Sequence, residues 1–138
     1  MELRVSTSYE GLAAAEEATR IVQKCVHCGF CNATCPTYQL LGDELDGPRG
    51  RIYLMKSMLE GNTVSSRTQL HLDRCLTCRS CESTCPSGVR YGRLLEIGRE
   101  LAEQQVRRSA KDRLVRFALR KIMASRKWFG LLSRIGRW

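Results

Sequence analysis

Apolar residues recur along this chain at helical rather than strand intervals. Leu12, Ala15, Ala18 and Val22 fall three or four residues apart, and Glu16 with Arg20 adds an i,i+4 pair, which predicts a helix running into Cys25. Gly47-Pro48 makes a turn and a helix start, because proline is tolerated in a first helical turn. From there Ile52, Met55 and Leu59 share one face, Leu54 and Met58 lie beside it, and Gly61 stands where a C-cap is expected. A shorter helix is predicted from Thr68 into Cys75, with Ser66 and Gln69 at the spacing of a capping box. Tyr91, Leu94, Ile97, Leu101 and Ala102 mark a further helix, supported by Arg99 and Glu103. No stretch alternates with the period of a strand, so the expected fold class is all-α.

The last part of the chain keeps the helical period but changes its polar face. Basic residues interleave with Leu114, Phe117, Ile122, Trp128, Phe129, Leu132, Ile135 and Trp138, the profile of one or two basic amphipathic helices. The net charge of +9 lies wholly here: residues 101–138 hold 11 Lys or Arg against Glu103 and Asp112, while the first 100 residues hold 12 of each sign. Such a face suits either an anionic membrane surface, with the aromatics at the interface, or packing on a further part of the subunit or a partner. The second is the favoured reading. No recognition motif accompanies the charge, so nucleic acid is not an expected partner. No run approaches the roughly 18 to 20 apolar residues of a membrane-spanning helix, and the first residues lack a signal-peptide pattern. The expected location is cytoplasmic, with any contact to the inner membrane peripheral, on its cytoplasmic face.

Cysteine placement changes the picture more than charge does. Cys25, Cys28, Cys31 and Cys35 repeat as Cys75, Cys78, Cys81 and Cys85 at a constant offset of 50 residues, and Pro36 repeats as Pro86. In a reducing compartment clustered cysteines read as metal ligands rather than disulfides. The pattern is C-x2-C-x2-C-x3-C-P twice, in which the first three thiolates hold one 4Fe–4S cluster and the fourth reaches the other. The expected ligand sets are therefore Cys25, Cys28, Cys31 and Cys85 for one cluster and Cys75, Cys78, Cys81 and Cys35 for the second. Structural zinc is the rival, but it takes two C-x2-C pairs with a longer loop between, and gives a third cysteine at short spacing no role. Residues 1–108 are thus expected to form an alpha-helical ferredoxin domain, the clusters lying between helices and cysteine loops, and residues 109–138 a basic tail. In so small a domain the clusters should act as staples, ligand binding being coupled to folding.

The segments CVHCGFCNATCPTYQLLGDELDGPRGRIYLMKSMLEG and HLDRCLTCRSCESTCPSGVRYGRLLEIGRE resemble the N-terminal region of the iron–sulfur subunit of bacterial glycolate oxidase, also called glycolate dehydrogenase. The similarity weakens beyond about Arg108. It implies an electron-transfer subunit with two 4Fe–4S clusters, flavin-containing glycolate oxidase subunits as partners, and a quinone-type acceptor beyond. Members of that family continue into further cysteine-rich domains, so the resemblance also implies that the tail leads toward a missing C-terminal region. A relay for another quinone-linked dehydrogenase, of lactate or glycerol-3-phosphate type, shares the cysteine pattern. No catalytic acid, base or nucleophile is expected on this chain, because substrate oxidation would take place on the flavin subunit.

Charge near the motifs should tune such clusters. Lys24, Arg74, Arg79 and Arg90 flank them in sequence, and Arg49 and Arg51 are candidates in space. Arg79, inside the second ligand loop, is the candidate to raise that cluster's potential relative to the first; the equal alternative is that these are solvated surface charges, screened by water and salt. His27, inside the first, is expected to be a non-ligand beside a full set of eight cysteines.

Overall fold

The computed structural model describes residues 1–135, with the side chains of Leu131, Leu132 and Ile135 left out; the tail residue Trp138 also lies outside the described residues. The chain divides into two compact units, Met1–Val106 and Arg107–Trp138. Among the described residues there is no strand.

In the first unit the main helices are α1 (Ala13–Gln23), α2 (Pro36–Leu41), α3 (Pro48–Leu59), α4 (Ser66–Asp73), α5 (Ser80–Ser83) and α6 (Tyr91–Gln105). The core is where the apolar periodicity converges: Ala18 and Val22 of α1, Met55 and Leu59 of α3, and Leu94 and Leu101 of α6 are all at most 4% exposed. Each of the larger of these side chains, Val22, Met55, Leu59, Leu94 and Leu101, contributes about 1.5 to 3 kcal/mol by leaving water. Leu12 departs from the expected apolar face. It is the N-cap residue of α1 and is 45% exposed.

Pro48 occupies the first turn of α3 and Gly61 closes it, its N–H bonding Met58 O at 3.0 Å. The start of α4 differs from expectation by one position. Ser65, not Ser66, is the cap, its hydroxyl accepting from Thr68 N at 3.1 Å, while Gln69 reaches across to Glu103 at 3.3 Å. Adjacent serines make the register ambiguous in sequence, and the cross-helix bond to α6 settles it. Polar contacts also tie α1 to α6, where Arg93 pairs with Glu17 at 2.9 Å. Burial raises the Glu17 carboxyl less than the Arg93 hydrogen bond, its leading influence, lowers it, so its pKa falls below the ordinary value.

The second unit consists of α7 (Ala110–Ala124) and α8 (Arg126–Ile135). Ser109 caps α7 by accepting from Asp112 N at 3.1 Å. No residue of α7 is buried, and Leu114, Phe117, Met123, Trp128 and Phe129 are exposed. Among the described residues no helix is long and apolar enough to cross a membrane.

Candidate metal centre

Both cysteine loops share an uncommon backbone. His27 and Gly29 have φ of 59° and 85°, and their repeat-mates Thr77 and Arg79 have 55° and 59°. Left-handed residues on either side of the second cysteine turn successive N–H groups toward one side, the concavity that receives anions and iron–sulfur groups. Glycine takes this conformation freely, whereas β-branched Thr77 holds it at a cost of about 1 to 3 kcal/mol. Each loop then enters a short helical turn, Phe30–Asn32 in the first and Ser80–Ser83 in the second. After the fourth cysteine, Pro36 starts α2 and so turns the chain away from the loop. The two halves meet at the repeat itself, where the Thr34 and Thr84 hydroxyls lie 3.4 Å apart.

The thiols line two open cavities. One is walled by Cys25, Cys28 and Cys31 together with Cys81 and Cys85 from the other motif. The second is walled by Cys75, Cys78 and Cys81 together with Cys35. Cys81, Pro48 and Tyr91 border both. Cys25, Cys35 and Cys81 are buried, whereas Cys28 and Cys78 are exposed, so each cavity has one sulfur at the surface.

The electrostatics suit a cationic guest. Burial pushes the Cys31 thiol up to about 11, with Cys25, Cys28 and Cys85 adding to the rise. Cys81 is pushed up to about 12 by burial and by Cys75, Cys31 and Cys35. Cys25 is also raised by burial, against the lowering effect of the His27 backbone N–H. Four thiolates in such a space repel one another unless a metal core neutralises them, and metal binding would release their protons. His27 Nε2 adds to the fit. It is buried without a hydrogen-bond partner, and His27 borders the first cavity. Burial first and Arg49 second hold this imidazole below its ordinary pKa, hence neutral.

A single zinc ion fits less well. With Zn–S near 2.3 Å a tetrahedral site draws its sulfurs to about 3.8 Å from one another. Among the described residues no three thiols converge within 4.8 Å; the one set of three that does is Asp43, Asp46 and His71. That set already serves another purpose, since Arg51 and Arg74 occupy the Asp46 carboxylate at 3.4 and 2.8 Å.

Of the basic residues nominated by sequence, Arg79 lies at the rim of the second cavity, its side chain 61% exposed and 3.7 Å from Glu96. Arg90 is exposed and reaches Glu17 at 4.0 Å. Arg49 is half-exposed and salt-bridged to Glu44 at 2.6 Å. Arg51 alone among them is fully buried, on the wall of the second cavity. Sequence reasoning missed Thr37, Tyr91 and Arg99 at the site. Thr37 Oγ1 lies 3.2 Å from Cys35 Sγ, and Tyr91 Oη donates to Cys75 Sγ at 3.7 Å. Arg99 donates to the carbonyls of Leu72 and Cys75, at 2.9 and 2.8 Å, beyond the end of α4. Arg99 sits 50 residues after Arg49, so the repeat offset carries a signal that could have found it.

A helical scaffold whose eight thiols line two neighbouring cavities defines an iron–sulfur protein of the two-cluster kind. Residues 21–89 match the 4Fe-4S dicluster domain family, and the chain belongs to that family; its eight cysteines fit two 4Fe–4S clusters. Among curated proteins it is 57% identical over 136 residues to the glycolate oxidase iron-sulfur subunit of Escherichia coli K12, covering 99% of this chain and 33% of that one. It is 45% identical over 94 residues to the probable glycolate oxidase iron-sulfur subunit of Bacillus subtilis 168, covering 67% of this chain and 21% of that one. The chain thus spans a third or less of the length of these relatives. No solved structure gives a significant match.

Proposed function

We propose that this chain is the electron-carrying part of the iron–sulfur subunit of a glycolate-oxidising complex. It would receive electrons from flavin-containing subunits and pass them toward a quinone-type acceptor. The observation that supports this most directly is that each cavity is lined by the first three cysteines of one motif and the fourth of the other, with Cys81 on the wall that both share. On this reading Cys25, Cys28, Cys31 and Cys85 hold one 4Fe–4S cluster, and Cys75, Cys78, Cys81 and Cys35 hold the other. When bound, each cluster accepts and releases one electron at a time.

The chain's own residues set the conditions. Ile52, Val89 and Tyr91 are buried on the cavity walls and exclude water from the inner side. Pro48, Cys81 and Tyr91 form the shared wall through which the two sites communicate. Cys28 and Cys78 at the surface, beside exposed Phe30 and Leu76, mark where partners would approach. The basic, apolar surfaces of α7 and α8 would pack on the rest of a longer subunit or on a partner.

Anaerobic reconstitution of the full chain tests the cluster reading: about eight irons and about eight sulfides should bind, with a broad band near 400 nm. Cys85→Ser should remove the cluster of the first motif and leave that of the second; loss from the second motif instead would overturn the ligand sets. Co-purification with flavin subunits, followed by dye reduction with glycolate and with lactate, tests the substrate. Activity with lactate alone would assign the relay to another dehydrogenase. Vesicle flotation at low and high salt tests the tail, and salt-sensitive flotation with anionic vesicles would replace the packing assignment by membrane docking.

A further inference from the structure

The duplicated loops treat the two cavities alike, but the charges behind them do not. Some charges match and offset one another. The Cys25 carbonyl accepts from the Met1 ammonium at 3.1 Å, as the Cys75 carbonyl accepts from Arg99 at 2.8 Å. Beside the first cavity Arg49 and Glu44 form a neutral, half-exposed pair.

Behind the second cavity the corresponding charges are buried. The Arg51 and Asp46 side chains are both 0% exposed, and Asp46 receives Arg51 at 3.4 Å, Arg74 at 2.8 Å and His71 at 3.0 Å. Two guanidiniums face Asp46, and the Asp43 carboxylate lies within 4.8 Å of Asp46 and His71, so two carboxylates stand against two guanidiniums. What differs is the orientation of the buried pair: Arg51 lines the second cavity and Asp46 does not, so the pair turns its positive end to the cavity. A negative charge in that cavity meets the guanidinium before the carboxylate, and away from water the nearer charge dominates. A cluster held by four thiolates is anionic and gains one more negative charge on reduction.

A hydrogen-bonded route connects the two. Arg51 Nη1 donates to Thr37 Oγ1 at 3.2 Å, and that oxygen lies 3.2 Å from Cys35 Sγ. The guanidinium occupies an acceptor site on the threonine oxygen and leaves its hydroxyl hydrogen for Cys35 Sγ or for the Asp46 carbonyl, which is 2.7 Å away. Hydrogen bonds to a cluster's sulfurs and nearby positive charge both favour the reduced state.

We infer that Arg51, acting with Arg74 and through Thr37, makes the cluster held by Cys35, Cys75, Cys78 and Cys81 the higher-potential one of the pair. An electron entering the chain therefore comes to rest on that side, and the first cavity faces the donor. Arg51 is a positioning residue here, not a ligand, and the inference rests on the two-cluster reading above.

The test is a redox titration of the anaerobically reconstituted full chain, followed by electron paramagnetic resonance. Two couples should resolve, separated by at least tenfold in equilibrium constant, which is about 59 mV for one electron. Arg51→Gln should lower the upper couple and leave the lower one in place. Because Arg51 is buried, Arg74→Gln is the second variant: its side chain is 42% exposed, and it too should lower only the upper couple, with Arg74→Lys restoring it. Arg49→Gln should not move the upper couple. An upper couple that ignores Arg74→Gln, or a lower couple that moves in its place, overturns the inference. Iron content on the same sample separates the two levels: no bound iron sinks the cluster reading and this inference together, whereas two full clusters with the wrong couple moving sinks the inference alone.

Discussion

Replacing Gly50 by alanine should destabilise the protein although alanine is the better helix former. Gly50 lies inside α3, where the substitution gains about 1 kcal/mol of helix propensity. The cost comes from the turn Glu44–Asp46, which crosses α3 at this point. A Cβ on Gly50 would stand 2.7 Å from the Glu44 carbonyl carbon and 2.9 Å from Leu45 Cα, and closer still to the Glu44 carbonyl oxygen. Carbon atoms pack at about 3.5 to 4.0 Å, so the turn must retreat by roughly 1 Å. These are backbone atoms and no rotamer change relieves them. Overpacking of this kind costs about 1 to 3 kcal/mol. Here the retreat also draws Asp46 away from His71 and Arg74, bonds now 3.0 and 2.8 Å long and each worth about 1.5 to 3 kcal/mol when charged. Set against the propensity gain, the net loss is about 2 kcal/mol, or roughly thirtyfold at 1.4 kcal/mol per factor of ten. Because unfolding releases the clusters, the assay compares unfolding rates of the anaerobic holoprotein in fixed guanidinium, by far-ultraviolet circular dichroism and cluster absorbance. A Gly50→Ala protein that unfolds as slowly as the native chain would refute the packing argument.

Three further outcomes rest on the same packing and capping contacts. Burial would raise the Asp46 carboxyl, but His71 and Arg74 outweigh it and hold the pKa below the ordinary 3.8. Its stabilisation is therefore complete above that value and is lost as pH falls through the lower folded value. Asp46→Asn should cost about 3 kcal/mol at neutral pH, by leaving Arg51 unpaired, and should shrink the acid-induced loss in a pH-dependent unfolding series; an unchanged acid limb would count against the assignment. Ser65→Ala should cost about 1 kcal/mol through loss of the α4 cap, measured by denaturant unfolding, whereas Ser66→Ala should cost only a few tenths. Thr77→Gly should recover part of the left-handed strain at φ 55°, offset by about 1 kcal/mol of glycine entropy. Cluster release in denaturant should then stay equal or slow; a several-fold acceleration would show that the threonine side chain itself is needed.

Where a signal is local and periodic it was readable in advance. The faces of α1, α3 and α6, the proline start of α3 and its glycine stop all depend on residues within a few positions of one another. The duplication of the cysteine motif was readable for a different reason: the exact offset of 50 residues makes each motif a copy of the other. Arg51 shows what was hidden. It sits between Gly50 and Ile52 with nothing nearby to announce that its guanidinium is buried, because its partners Thr37, Asp46 and the His71 carbonyl come from three separate elements. Arg79 was legible only in part. Its place inside a ligand loop puts it on the border of the second cavity, but as the repeat-mate of Gly29 it adopts the left-handed backbone and directs its side chain to the rim and to Glu96. Sequence distance from a ligand measures the path of the backbone, not the direction of a long side chain.

The repeat also explains why asymmetry has to come from outside it. Two copies of one loop, touching at Thr34 and Thr84, would on their own build two equivalent sites, and equivalent sites give an electron no preferred direction. Direction requires a residue whose counterpart differs in charge. Fifty positions after Arg51 stands Leu101, buried in the core, and fifty positions after Asp46 stands Glu96, half-exposed. The segment from Asp46 to Arg51 thus places a buried cation and its carboxylate beside one cavity and nothing equivalent beside the other. A Glu96→Gln change should leave the upper couple within a few-fold of the native equilibrium constant, because an exposed charge is screened by solvent and salt. Were it to shift that couple as far as Arg51→Gln does, the distinction between buried and surface charge, and with it the physical basis for a directed relay, would fail.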